Sequence, residues 1–338
     1  MRDLLPDIEI WLKAGERVAL ATVISTWGSA PRPAGSTMAI SERGGLVGSV
    51  SGGCVEGAVI QAAQEVIRSQ RPQRLHFGVA DETAWQVGLA CGGQIDIFVQ
   101  PINKPVFEAL LPRIKAEQGS ILRTVISGPE DRVGAQELTD EQGRTLAASN
   151  GSLLRSLLQG IQSHSVKGAE LLSRNEYEIF FNPLPASPTL VMIGGVHIAV
   201  ALAKIAHTLN FRTVIVDPRK AFGSAERFAH ADQLIQAWPQ QAFQQVPLTS
   251  STAVASLSHD PKIDDPALKA AMASEAFYVG ALGSKKTAEK RRKRLLASGI
   301  SDAVLARLHA PIGVEINAQT PEEIALAIMA QIIAAYRG

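Results

Sequence analysis

One stretch constrains the fold more than any other. Thr189-Leu190-Val191-Met192-Ile193 is a short apolar run, and Gly194-Gly195-Val196-His197-Ile198-Ala199 follows it directly. A buried strand feeding a helix through a glycine turn is the opening of a Rossmann-type, dinucleotide-binding α/β unit. In that pattern, G-x-G-x-x-G/A, the first Gly makes the turn and the second lets a pyrophosphate approach the backbone. The third slot needs a small residue for packing. Gly194 and Ala199 fill the first and third slots, while Val196 takes the second. Asp217, at the end of the next strand segment, is placed to bond a ribose hydroxyl. Arg219 is placed instead to meet a 2′-phosphate, so NAD and NADP both stay open. A valine in the second slot obstructs a pyrophosphate, and a scaffold without nucleotide stands beside the dinucleotide reading. His197 either caps the helix or contacts a phosphate. A second glycine turn, Gly280-Ala281-Leu282-Gly283-Ser284, is placed along the same crevice at the carboxyl edge of the sheet. The candidate nucleotide set is therefore Gly194, Gly195, His197, Asp217, Arg219, Gly280, Gly283 and Ser284.

At 338 residues the chain is long for one core, which argues for two domains. The proline-rich run Pro183-Leu184-Pro185-Ala186-Ser187-Pro188 is the linker candidate and divides it into 1–185 and 186–338. Beyond the linker, strand segments at 191–193, 213–216, 233–235, 253–257 and 277–279 alternate with helices. That alternation predicts a doubly wound parallel sheet. The last helix has a well-formed start, with Thr320 as N-cap, Pro321 at the first position and Glu323 completing a capping box. The N-terminal half reads as mixed α/β, with a core over about 1–102. It has a helix at 4–14, strands at 18–25, 36–41 and 46–49, a helix at 55–69, and strands at 74–79 and 94–100. A helix at 105–115 follows. The rest of 103–185 reads as a poorly defined connector with strands at 121–127 and 178–181 and a polar turn at 140–143.

Charge and hydropathy narrow the partners. Formal net charge is +1 and aromatic residues are 5% of the chain, so neither a wide basic footprint nor stacking aromatics point to nucleic acid. The exception, Lys285-Lys286 with Lys290-Arg291-Arg292-Lys293-Arg294, reads as the solvated face of a helix. The apolar stretches 190–206 and 324–336 do not meet the length of a membrane span, and residues 1–7 carry no signal core. A cytoplasmic protein with no membrane partner is expected.

The two cysteines, Cys54 and Cys91, are no disulfide framework. Each adjoins a glycine pair: Gly52-Gly53-Cys54-Val55-Glu56-Gly57 and Cys91-Gly92-Gly93. Cys54 falls at a strand-to-helix turn, where helix amides and dipole favour a thiolate suited to soft metals or sulfur chemistry. The glycines there would let an anionic ligand reach backbone N–H groups. The two cysteines either share a site or are small residues in tight turns. No His or Cys pair completes a zinc set, and no G-x-S-x-G marks a hydrolase.

At these residues the chain resembles the XdhC/CoxI family, accessory factors for molybdenum hydroxylases such as xanthine dehydrogenase. The matching pieces in the first half are Gly28-Ser29-Ala30-Pro31-Arg32-Pro33-Ala34-Gly35, Gly48-Ser49-Val50-Ser51 running into the Cys54 motif, and Cys91-Gly92-Gly93. In the second half they are His259-Asp260-Pro261-Lys262-Ile263-Asp264-Asp265-Pro266, Tyr278 to Ser284, and His309-Ala310-Pro311-Ile312-Gly313. The resemblance implies an XdhC-type N-terminal domain followed by the family's Rossmann domain, whose usual Gly-x-Gly turn departs here at Val196. It implies a protein that transiently binds the molybdenum cofactor (molybdopterin), protects it, and hands it to an apo molybdenum hydroxylase. A cysteine desulfurase is the implied partner for installing the terminal sulfido ligand. The implied cofactor contacts are Arg32, Gly52, Gly53, Cys54, Glu56, Cys91, Gly92 and Gly93, with Cys54 the candidate molybdenum ligand. The chain itself is not expected to be the dehydrogenase, since two cysteines are too few for iron–sulfur clusters. A maturation chaperone with no catalytic residues is expected, with an NAD(P)-dependent oxidoreductase as the alternative. A homo-oligomer is also expected.

Overall fold

A computed structural model describes residues 1–30, 32–78, 93–149, 157, 168–219 and 228–338. Cys91 and Gly92 lie outside the described residues, as does Val79 at the end of an expected strand. The chain divides into two compact units, Met1–Ala186 and Ser187–Gly338.

In the first unit, helix α1 (Leu5–Lys13) leads to β1 (Val18–Trp27), β2 (Thr37–Ser41) and β3 (Leu46–Gly48). Helix α2 (Glu56–Ser69) then precedes β4 (Gln73–Phe77) and β5 (Gln94–Pro101). These strands form an antiparallel sheet in the order β3-β2-β1-β5-β4. Strand periodicity sorts its faces. Ala19, Ala21 and Val23 of β1 join Ile95, Ile97 and Val99 of β5 under the apolar stripe of α2, formed by Val59, Ala63, Val66 and Ile67. Val18 and Leu20 point the other way, towards α1 and α3 (Lys104–Lys115), where Ile8, Phe107 and Leu110 meet them.

The stretch read as a connector is a second antiparallel sheet. It comprises β6 (Ser120–Ser127), β7 (Gln136–Asp140), β8 (Thr145–Ala148), β9 (Glu170–Arg174) and β10 (Tyr177–Leu184), in the order β8-β7-β6-β10-β9. Ile126 and Phe180 of this sheet pack with Ile24 and Phe98 of the first. The proline-rich run is linker only in part. Pro183 and Leu184 belong to β10, where Pro183 pairs with Ile121 beyond the last residue matched to β9. A proline is tolerated there because no ladder bond is asked of it on that side.

The second unit runs β11 (Thr189–Ile193), α4 (His197–Thr208), β12 (Arg212–Val216), β13 (Gln233–Ile235) and α5 (Pro239–Gln245). It continues through β14 (Thr252–Ser256), α6 (Pro261–Ala273), β15 (Tyr278–Ala281) and α7 (Lys285–Ala297). Last come α8 (Asp302–Leu305), β16 (Leu308–His309) and α9 (Pro321–Arg337). All six strands are parallel, in the order β13-β12-β11-β14-β15-β16. Both faces are covered, as parallel sheets require. Val191, Ile193, Val214 and Val254 face α6, while Leu190, Met192, Ile215 and Ala255 face α4 and α9. The capping box at Thr320 and Glu323 is formed in full. Among the described residues, no helix is long and apolar enough to cross a membrane.

Candidate functional site

Antiparallel pairing decides where the N-terminal motifs gather. β1, β3 and β4 end, and β2, α2 and β5 begin, at one end of the first sheet. Segments 28–36 and 49–55, and both ends of the 77–94 connection, therefore leave from that end. Gly93 is pressed against its neighbours: a Cβ there would lie 2.7 Å from the Ser29 carbonyl oxygen and 2.9 Å from that of Trp27. Only glycine lets β5 start so close to the Gly28-Ser29 backbone. Trp27 itself is 69% exposed, and Arg32 is exposed as well.

The Cys54 loop is built around Glu56. Its carboxylate accepts hydrogen bonds from the Ser49 hydroxyl at 2.8 Å, the Ser51 amide at 2.9 Å and the Gly53 amide at 2.8 Å, and from the Ser51 hydroxyl. Ser51 Oγ in turn accepts from the Val55 amide at 3.0 Å, and Ser49 Oγ from the Gly52 amide at 2.9 Å. Burial would raise the Glu56 pKa, but the hydroxyls and amide of Ser51 and Ser49 outweigh it and hold the group at about 2. Gly52 (φ 78°) and Gly53 (φ 124°) adopt the left-handed backbone that only glycine takes without strain, and nothing lies within 4 Å of either missing Cβ. Their role is to turn the chain while leaving the surface open. Cys54 is exposed at the start of α2. The amides expected to receive an anion are therefore engaged inside the loop, Gly52 with Ser49 and Gly53 with Glu56. What the loop presents outward is the thiol. Glu56 acts as its internal brace.

A polar cluster nearby was hidden in the sequence, because its members meet only through strand register. His76 and Asp96 are cross-strand partners, with Nδ1 2.6 Å from Oδ1. Asp96 also accepts from Ser25 and from Arg74, each at 2.9 Å, and Arg74 reaches Glu178 of the second sheet at 2.7 Å. Burial would raise the Asp96 pKa, but bonds from Arg74, His76 and Ser25 keep it below the usual carboxylate range. The cluster ties the two sheets together.

In the second unit the fingerprint turn is satisfied from within. Gly194 (φ 108°) lies against Ser258, so close that a Cβ would be 2.8 Å from the serine Cβ and 2.9 Å from its backbone nitrogen. The Gly195 amide donates to Asp217 Oδ2 at 2.7 Å. The Arg219 guanidinium adds a bidentate pair to the same carboxylate, at 2.9 and 2.8 Å, and the Arg219 amide a further bond at 2.9 Å. Asp217 is fully buried; burial would raise its pKa, but these bonds outweigh it and hold the carboxyl below the usual range. The two residues expected to read a ribose or its 2′-phosphate thus bind each other. Val196 packs half-buried against the core and serves as N-cap of α4, with no side-chain cap bond; His197 is the first helical residue and exposed, so the capping reading does not hold. Gly280 is buried inside β15, where a Cβ would meet Ile312 and the Tyr278 hydroxyl at 2.6 Å. It serves packing, and the turn proper is Leu282 to Ser284. Ser284 caps α7, its hydroxyl accepting from the Thr287 amide at 3.2 Å.

The basic run on α7 is only partly a solvated face. Arg291 turns inward and is 2% exposed; its Nη2 donates to the Leu282 carbonyl at 3.0 Å and to Asp264 at 3.4 Å. Asp264 is buried too and accepts from Ser256 at 2.7 Å and Ser258 at 2.6 Å. Nothing in a run of lysines and arginines singles out the one that faces the core. Among the described residues, no group of three or more His, Cys, Asp or Glu is arranged to hold a metal ion.

The class defined by these units is a two-unit α/β protein: a braced, exposed cysteine on a loop at one end of an antiparallel sheet, and a Rossmann-type domain whose glycine turn is bonded to its own Asp217. Residues 190–332 match the XdhC Rossmann domain and residues 11–78 match the XdhC and CoxI family. The chain belongs to the XdhC/CoxI family. It is 26% identical to a probable xanthine dehydrogenase subunit from Bacillus subtilis (strain 168), over 96% of this chain and 95% of that one. It is 27% identical to the molybdenum cofactor insertion chaperone PaoD of Escherichia coli (strain K12), over 95% of this chain and 84% of that one. The fold is shared with a crystal structure of a xanthine dehydrogenase from Bacillus halodurans, with a TM-score of 0.79, 24% identity, and coverage of 100% of this chain and 96% of that one.

Proposed function

We propose that this protein is a molybdenum-cofactor insertion chaperone. It takes up the cofactor, assists its sulfuration with a cysteine desulfurase, and passes it to an apo hydroxylase of the xanthine dehydrogenase type. The observation that carries this reading is Cys54, an exposed thiol on a loop braced by four hydrogen bonds to Glu56. A thiolate is a soft ligand suited to molybdenum and to sulfur in transit. Such a contact must be made and later released, which an exposed thiol allows and a closed multidentate site does not. Trp27, exposed at the same end of the sheet, offers a flat face for a pterin ring, and Arg32 a cation for its phosphate. The name of the Escherichia coli relative supports the cofactor assignment. An oxidoreductase reading gains no support from a ribose site already filled by Arg219.

The test is cofactor retention. The purified chain is incubated with molybdenum cofactor released from a molybdoenzyme, freed of unbound ligand, and assayed for molybdenum and for oxidised pterin fluorescence. Cys54→Ala is expected to retain less by about tenfold, equivalent to roughly 1.4 kcal/mol of lost binding. Equal retention by the variant removes the thiol from the site, and no retention by the wild type removes the chaperone function.

A further inference from the structure

We propose that the Leu282–Ser284 turn, with Arg291 beneath it, is a phosphate-binding subsite of the C-terminal unit. The inference does not depend on the chaperone reading. Its first support is Arg291 itself. Only Nη2 of this guanidinium is bonded; Nε and Nη1 are buried with no hydrogen-bond partner among the described residues. Buried N–H groups of a charged side chain are costly to leave unpaired, so an anion reaching them gains more than it would from a solvated arginine. Nη1 lies 3.8 Å from the position a Cβ would take on Gly283, which brings that unpaired nitrogen up against the turn.

The second support is the helix that starts there. α7 is 13 residues long, has no acidic residue in its first turn, and opens with the exposed pair Lys285-Lys286. Two cations at the positive end of a helix dipole are unfavourable unless an anion joins them. Lysine charge, helix amides and the unpaired Nη1 of Arg291 thus converge on one turn, and a phosphate monoester or diphosphate suits that set of donors. The contrast with the fingerprint turn strengthens the assignment. There the Gly195 amide and the Arg219 fork already serve Asp217, so the anion-binding capacity of this domain has moved from the loop after β11 to the loop after β15.

Inorganic pyrophosphate is the probe, titrated calorimetrically into the full chain. Arg291→Met is expected to weaken binding by about tenfold or more, as for loss of a hydrogen-bonded charge. Lys293→Gln, which removes the same charge from the exposed side of α7, is expected to bind like the wild type. In the wild type, pyrophosphate is expected to slow amide exchange at 283–288 and leave 194–199 unchanged, a readout that stands even where Arg291→Met does not fold. Displacement of the probe by molybdopterin identifies a pterin phosphate, and displacement by NADH identifies a nucleotide; either supports the subsite. Equal weakening by the two substitutions, protection at 194–199 alone, no binding to the wild type, or a probe that neither organic phosphate displaces each overturns it.

Discussion

Gly194→Ala is expected to destabilise the C-terminal unit by roughly 2–5 kcal/mol, the sum of a strained backbone and a forced displacement in a packed core. The backbone term arises because Gly194 sits at φ 108°, where a side chain is strained whatever space surrounds it. The packing term arises because the new methyl would stand 2.8–2.9 Å from Ser258, including that residue's backbone. Ser258 has no easy retreat, since its hydroxyl donates to buried Asp264 at 2.6 Å and accepts the Asp260 amide at 3.2 Å. Moving it disturbs the carboxylate that faces Arg291, so the substitution reaches two loops at once. Thermal unfolding of the variant should show a C-terminal transition lower by roughly 10 °C, given the size of this unit. An unchanged transition would mean that the loop after β14 gives way freely, and that Gly194 is there for the turn alone.

Glu56→Ala should be nearly as severe, with effects confined to the first unit. The carboxylate holds two amides and two hydroxyls, and charge-assisted bonds are individually worth about 1.5–3 kcal/mol. Water reaches part of the loop and replaces some of them, which brings the expected loss to about 2–3 kcal/mol. Amide exchange at 51–55 should quicken, and cofactor retention should fall with it although Cys54 is untouched. Acid has the same effect by another route. Glu56 is held at about 2 against an ordinary 4.5, so its contribution is complete above pH 4.5 and is lost as the pH falls towards 2. Glu56→Gln should remove this acid-sensitive step from a pH titration of the loop. A titration identical to that of the wild type would refute the bracing role.

The C-terminal architecture was readable because its signals are local. Apolar strands such as Val191 to Ile193 and a full capping box at Thr320 speak for themselves within a few residues. β7 shows why the second sheet was not. Its five residues, Gln136-Glu137-Leu138-Thr139-Asp140, are all buried, yet only one is apolar. Glu137 pairs with Arg123 and Gln136 with Thr124 across the sheet, and Asp140 with Arg144 in the following turn, so polar partners stabilise the strand and it shows no apolar alternation. The same limit governs the sites. Cys54 stands out by residue type, and its place on a strand-to-helix turn follows from the flanking pattern. That Glu56 folds back as a brace, that Arg219 claims Asp217, and that Arg291 alone of its basic run turns inward are facts of three-dimensional proximity.

The position of α9 has a consequence for the order of events during synthesis. Leu190, Met192, Ala253, Ala255 and Tyr278 form one face of the parallel sheet, and Ile328, Met329 and Ile332 of α9 complete its cover beside α4. A ribosome that has made the first 320 residues has therefore synthesised every described strand of the sheet but not this part of its cover. The nascent domain carries an apolar face for that interval, while the first unit already has all its elements. Domains generally fold as they emerge, so the cysteine-bearing unit is expected to be native first, with the Rossmann-type domain waiting on its last helix.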